Sequence, residues 1–193
     1  MSLTMTKGSS LILTKDDGVT PLTNIRVELS WNANASKSQY SHDLDVISAV
    51  CVDENLKAVG SEHIAFFNQK NTPAIQVSPD NVTGEGDGVD EFLNIDISKV
   101  PANANRIPVL VSIYGAAKKN QNFSQVDSAK VVLKDMDTGN VIGSCDITDQ
   151  GSSSDESLLV GVFERQPDGT FKYNQLNEFF DKSFEDWIGV FSN

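Results

Sequence analysis

The sequence is poor in cysteine, in histidine and, over one long interval, in positive charge. Its two cysteines, Cys51 and Cys145, stand far apart inside apolar stretches. That scarcity argues against a disulfide-held scaffold and predicts reduced, buried thiols, with a single bridge as the alternative. The two histidines are His42 and His63, and the acidic loop at 78–91 holds neither histidine nor cysteine, which argues against a transition metal there. The chain lacks a G-x-S-x-G elbow, an H-E-x-x-H pair, a Walker loop and a G-x-G-x-x-G turn opening a helix, so the commonest catalytic signatures are missing. It also lacks a long hydrophobic run, and the opening MSLTMTKGSS has no apolar export core. The expectation is a cytoplasmic protein with no direct membrane insertion. Fifteen basic residues stand against twenty-seven acidic ones, a formal net charge of -12. Such a balance argues against nucleic acid or an anionic membrane as partner, since either needs a basic face.

What is present is a series of short apolar runs separated by turns. In NIRVELSW, Ile25, Val27, Leu29 and Trp31 share one face of a strand, and Arg26, Glu28 and Ser30 the other. LDVISAVCV (44–52) is apolar on both faces, as a central strand would be. HIAFFN, AIQVS, FLNIDIS, RIPVLVSIY, AKVVLKDM, VIGSCDI, LLVGVFER and TFKYNQL read as further strands. DTGN (137–140) and PDG (167–169) read as hairpin turns. Together these predict an all-β fold, a two-sheet antiparallel β-sandwich, as one domain over 1–193.

The tail has a different pattern. Leu176, Phe180, Phe184, Trp187, Ile188 and Phe191 recur at spacings of three and four. This predicts a helical segment over about 175–193, packed on the sandwich, with SFED (183–186) as a capping box.

The least ordinary stretch is SPDNVTGEGDGVDE (78–91). It holds three glycines at alternate positions and five carboxylates, Asp80, Glu85, Asp87, Asp90 and Glu91, and no lysine or arginine lies between Lys70 and Lys99. A second acidic pair, Asp43 and Asp45 in HDLDV, opens a strand. Period two puts both carboxylates on one face, with α-carbons about 7 Å apart. Two like charges at that separation repel by about 0.6 kcal/mol in water and about 2.4 kcal/mol at an effective dielectric of 20. Partly buried and joined by the loop's carboxylates, the pair needs a cation. Calcium suits it, because it takes six to eight oxygen ligands in irregular geometry, whereas magnesium retains more water. The spacing is not that of an EF-hand, and a solvated acidic loop is the plain alternative.

In order along the chain, LSWN, HDLDVISAVCVD, IAFFNQ, DNVTGEGDGVDEFLNIDISKVP, VLVSIYGA and FSQVDSAKVVLKDMDTG resemble the TerD-type tellurium-resistance and stress-protein family, from about Leu13 to about Tyr173. The resemblance implies a calcium-binding, non-catalytic β-sandwich of the cytoplasm that takes part in stress responses as a scaffold or sensor, with other stress-complex proteins as partners. The calcium ligands it implies are Asp43 and Asp45 from the strand, and Asp80, Asn81, Asp87, Asp90 and Glu91 from the loop, with backbone oxygens near Thr83 and Gly84. Two departures bear on whether one or two ions are held. Pro79 stands where the family has glycine before DN, and Val89 where it has the first aspartate of DDE. The tail after Tyr173 departs as well. Two other functions remain open: an extracellular calcium-sandwich interaction module, and a metal-dependent hydrolase with His42 as base. For His42 itself the expectation is a solvent-facing strand-edge side chain, and for Cys51 an inert core residue.

Overall fold

The computed structural model describes residues 3–32, 39–86, 88–126, 128–147 and 151–193. Among these residues the strands are β1 (Leu3–Thr4), β2 (Ser10–Ile12), β3 (Asn24–Ser30), β4 (Leu44–Ala49), β5 (Ile64–Ala65), β6 (Ile75–Val77), β7 (Glu91–Asp96), β8 (Arg106–Ile113), β9 (Lys130–Asp135), β10 (Val141–Asp146), β11 (Ser157–Arg165) and β12 (Phe171–Phe180). They form two six-stranded sheets, one ordered β1-β10-β9-β3-β7-β6 and the other β2-β12-β11-β8-β4-β5. Neighbours run antiparallel except β1, which lies parallel to β10. The predicted two-sheet sandwich is the architecture found.

The main core lies between the sheets. Ile25, Val27 and Leu29 of β3 point into it, as their alternation dictates, and meet Leu44, Val46, Val109, Val111 and Phe163 from the second sheet. The predicted turns fall where expected, DTGN between β9 and β10 and PDG between β11 and β12. HIAFFN is only partly strand. A short 3₁₀ turn precedes β5, and Phe66 closes a tight turn on Gln69, so pairing with β4 is confined to Ser48 and Ala49.

Helix α1 is a single turn (Ala116–Lys119), and α2 (Phe184–Ser192) closes the chain. The expected helical tail over 175–193 is therefore corrected at its start, since β12 runs as strand to Phe180. Leu176, Phe180 and Phe184 are spaced by four, which fits a helical turn but is also even, and so fits strand alternation. The inward neighbours of Leu176 and Phe180 decide the matter. Tyr173 is core, and Gln175 and Asn177 are buried polar residues that no apolar pattern flags. Gln175 donates to the Val160 carbonyl (2.9 Å) and to Asn177 Oδ1 (2.6 Å).

The capping box at α2 is present. Ser183 Oγ accepts the Asp186 amide, and Asp186 accepts the Ser183 amide. The helix lays Trp187 and Phe191 on the outer face of the second sheet, over Ile47, Ala49, Leu110, Leu159 and Val162. This cover is why β4 is buried on both faces. By the same alternation Asp45, and Asp43 just before the strand, fall on that outer face, beside the start of α2.

Candidate metal centre

The acidic loop joins β6 to β7 and is shaped by its own hydrogen bonds. Asn81 Oδ1 accepts the amides of Thr83 (3.2 Å) and Gly84 (3.0 Å). Gly84 has φ +64, and a Cβ there would lie 2.3 Å from Trp31 Nε1, so both backbone and space require glycine. Trp31 is held from three directions. Its amide donates to Asp90 Oδ2 (2.9 Å), its indole Nε1 donates to the His42 carbonyl (3.1 Å), and the ring packs beneath Gly84. The buried indole thereby fastens the loop to the segment that leads into Asp43.

Glu91 ties the two sheets together. Because β5 is so short, the Val46 amide has no strand partner on that edge of β4, and Glu91 Oε2 accepts it at 2.8 Å. Its other oxygen accepts the Asn81 amide at 3.3 Å. Burial pushes the Glu91 carboxyl up to about 7, against the pull of those two amides.

On this frame Asp43, Asp45 and Asp80 converge, each offering a carboxylate oxygen within 4.8 Å of the others. They line a cleft of about 140 Å³ walled by Phe67, Val82 and Tyr114. Asp43 and Asp45 are 7% and 3% exposed, whereas Asp80 is open to solvent. Burial, and then the charges of Glu91, Asp43 and Asp80, push Asp45 up to about 8. Burial likewise raises Asp43 to about 6, opposed by Lys119. Asp43 Oδ1 is buried without a hydrogen-bond partner. Such an orphaned carboxylate oxygen is costly unless a cation completes it. The donor set is hard oxygen throughout, without thiolate or imidazole, which fits calcium rather than a softer ion.

The nine residues expected at the site thus divide. The structure brings Asp43, Asp45 and Asp80 together. It engages the oxygens of Asn81, Asp90 and Glu91 in hydrogen bonds that set the loop; Asp90 Oδ1, for instance, accepts the Asn81 amide group at 2.9 Å. Thr83 and Gly84 lie in the turn between them, and Asp87 falls outside the described residues. The expectation of a solvent-facing His42 is overturned. The ring is 2% exposed, with Nε2 unpartnered, and burial lowers its pKa. The bond from Trp31 to its carbonyl, and those from Gln121 to the carbonyls of Tyr40 and Ser41, hold this segment against the core. Both cysteines are free and buried, as expected.

Trp31, which the alternation of its strand marks only as a core residue, and Phe67 and Tyr114 also shape the site, and each sits in a stretch that carries the family resemblance. Sequence reasoning missed Lys119, whose Nζ lies 3.9 Å from Asp43 Oδ2. Nothing local marks that lysine, because only the chain's return at α1 brings it to the site.

These features define a class, a two-sheet β-sandwich with a buried, carboxylate-lined cleft at one end. The TerD domain profile matches residues 1–189, and the chain belongs to that family. It is 31% identical over 180 residues to the tellurium resistance protein TerD of Serratia marcescens, covering 92% of this chain and 91% of that protein. It is 30% identical over 179 residues to general stress protein 16U of Bacillus subtilis, covering 91% and 90%. The crystal structure of a homologue of telluride resistance protein (TerD), SCO6318 from Streptomyces coelicolor A3(2), has the same fold, with a TM-score of 0.68 at 19% identity over 86% of this chain and 95% of that one. The chain is thus a member of the tellurium-resistance and stress-response family.

Proposed function

We propose that this protein is a calcium-binding, non-catalytic stress-response module of the cytoplasm, a scaffold or sensor that engages other proteins of a stress complex. Asp43, Asp45 and Asp80 would hold the ion, with loop oxygens completing its coordination. The observation that carries the reading is the buried, unpartnered Asp43 Oδ1 within a convergent triad of carboxylates. A bound calcium ion would supply the missing counter-charge and join the start of β4 to the loop, making that end of the sandwich rigid.

A non-catalytic role is supported by the state of the nucleophile candidates. Cys51 is fully buried, and its thiol is pushed up to about 12 by burial and by Asp53. His42 is enclosed. Among the described residues no helix is long and apolar enough to cross a membrane. The charge of -12 disfavours nucleic acid.

Calorimetric titration with calcium and with magnesium, paired with thermal melts, tests the proposal. Calcium at a hundred times its dissociation constant adds about 2.7 kcal/mol to stability, which for a chain of this size raises the melting temperature by roughly 5–10 °C. Coincident melts with calcium and with chelator would sink it.

A further inference from the structure

Lys119 is the cation that the fold itself brings to the triad. Among the described residues, no other lysine, arginine or histidine makes an ion pair with Asp43, Asp45 or Asp80. Its ammonium stops 3.9 Å from Asp43 Oδ2, beyond hydrogen-bond reach, and the side chain is one-third exposed. The pairing is electrostatic and loose. It leaves Asp43 Oδ1 unpartnered and Asp45 without a cation of its own. The lysine is carried on α1, a single turn between two left-handed residues, Gly115 (φ +68) and Asn120 (φ +52).

Lys119 also borders a second cleft, of about 350 Å³, shared with Asp43, Tyr114 and Phe184. Two carboxylates, Glu156 and Glu185, and one further cation, the exposed Lys118, line that cleft as well. Glu156 already lies in the field of Asp181, Asp186 and Glu185. An ammonium leaving Asp43 therefore has negative potential to move toward, on the side where α2 begins.

We propose that Lys119 is the resident counter-cation of the carboxylate triad and competes with a divalent ion for it, so that loss of its charge tightens ion binding. The proposal rests on the calcium reading of the site given above. Bringing a divalent ion against Asp43 places two positive centres side by side. The ammonium must then withdraw into the neighbouring cleft, and the ion's affinity is reduced by the lost pairing and by the residual repulsion. Lys118, next in the chain, lines the second cleft but is exposed and is not paired with Asp43, so it is the control for a nearby charge that does not meet the triad.

Calcium titration by isothermal calorimetry on the full chain tests this, with wild type, Lys119→Met, Lys119→Gln, Lys119→Arg and Lys118→Met. A double charge and a single charge about 6 Å apart in a water-like medium correspond to about tenfold in the dissociation constant, so both neutral Lys119 variants bind calcium about tenfold more tightly. Lys119→Arg keeps the charge and stays within about twofold of wild type. Lys118→Met, screened by solvent, also stays within about twofold. Unchanged or weaker binding in both neutral variants overturns the proposal. If wild type takes up no calcium while Lys119→Met and Lys119→Gln do, the competition stands and the calcium reading of the native protein falls. If no protein binds, both fall.

Discussion

The indole of Trp31 donates to the carbonyl of His42 across 3.1 Å, and so holds the residue preceding Asp43 in place from another sheet. On its other side the same ring is the surface against which Gly84 turns. The loop and the segment leading into β4 are therefore positioned by one buried side chain.

A side chain at position 84 should disrupt both contacts. Gly84→Ala puts a Cβ against the indole and forces alanine into φ +64. We expect a loss of about 2–4 kcal/mol in urea unfolding, together with weaker calcium binding. A neutral effect on both would show that Trp31 does not organise the site.

Asp45→Asn should act in opposite directions with and without calcium. In the ion-free protein burial and the charges of Glu91, Asp43 and Asp80 disfavour the ionised form of Asp45, and asparagine cannot ionise. The variant's melting temperature is expected to stay level or rise, while the calcium-dependent increase disappears. Paired melts in calcium and in chelator read both effects, and a variant that keeps the full calcium response removes Asp45 from the site.

The pH dependence should invert with calcium. Asp43, Glu91 and Asp45 are raised in the folded protein to about 6, 7 and 8. Each favours its protonated form when folded, so its stabilising contribution is complete below its ordinary carboxylate pKa and is lost as pH rises through the folded value. His42, lowered by burial, opposes this by costing stability as pH falls below its ordinary imidazole value, but three raised carboxyls outweigh one histidine, so ion-free protein should be more stable to urea at pH 5 than at pH 8. With saturating calcium the ionised carboxylates are the favoured form, and the order should reverse. The carboxyls held low by local hydrogen bonds, such as those of Asp17 and Asp168, lose their contribution only on acidification below about pH 4, outside this window.

Helix α2 should behave as core. Trp187 is 3% exposed, packs edge-on against Phe180, and donates from Nε1 to Ser157 Oγ at 2.7 Å. Trp187→Ala should cost about 3–5 kcal/mol, and Ser183→Ala, which removes the cap, about 1 kcal/mol. Chemical unfolding followed by circular dichroism measures both. A Trp187→Ala protein of wild-type stability would mark α2 as a detachable arm.

Much of the fold was legible because strand alternation is a local signal. Ile25, Val27 and Leu29 had to face one way, and DTGN and PDG had to turn. The tail was misread over 175–180 because a spacing of four satisfies both helical and strand periods, and the residues that settle it, Gln175 and Asn177, are polar and buried. His42 was misplaced for a related reason. Its burial depends on Trp31 and Gln121, which lie on other segments.

By itself the sequence determined the alternating strands, the turns, the family pattern and the excess of carboxylates at 43–45 and 80–91, since each is written in neighbouring residues. Only the tertiary structure decided which carboxylates meet. Asp43, Asp45 and Asp80 share a cleft, Glu91 spends its oxygens on the free edge of β4, and Lys119 arrives from a distant turn. Convergence, burial and the loss of hydration are properties of segments packed together, and no single stretch of chain carries them.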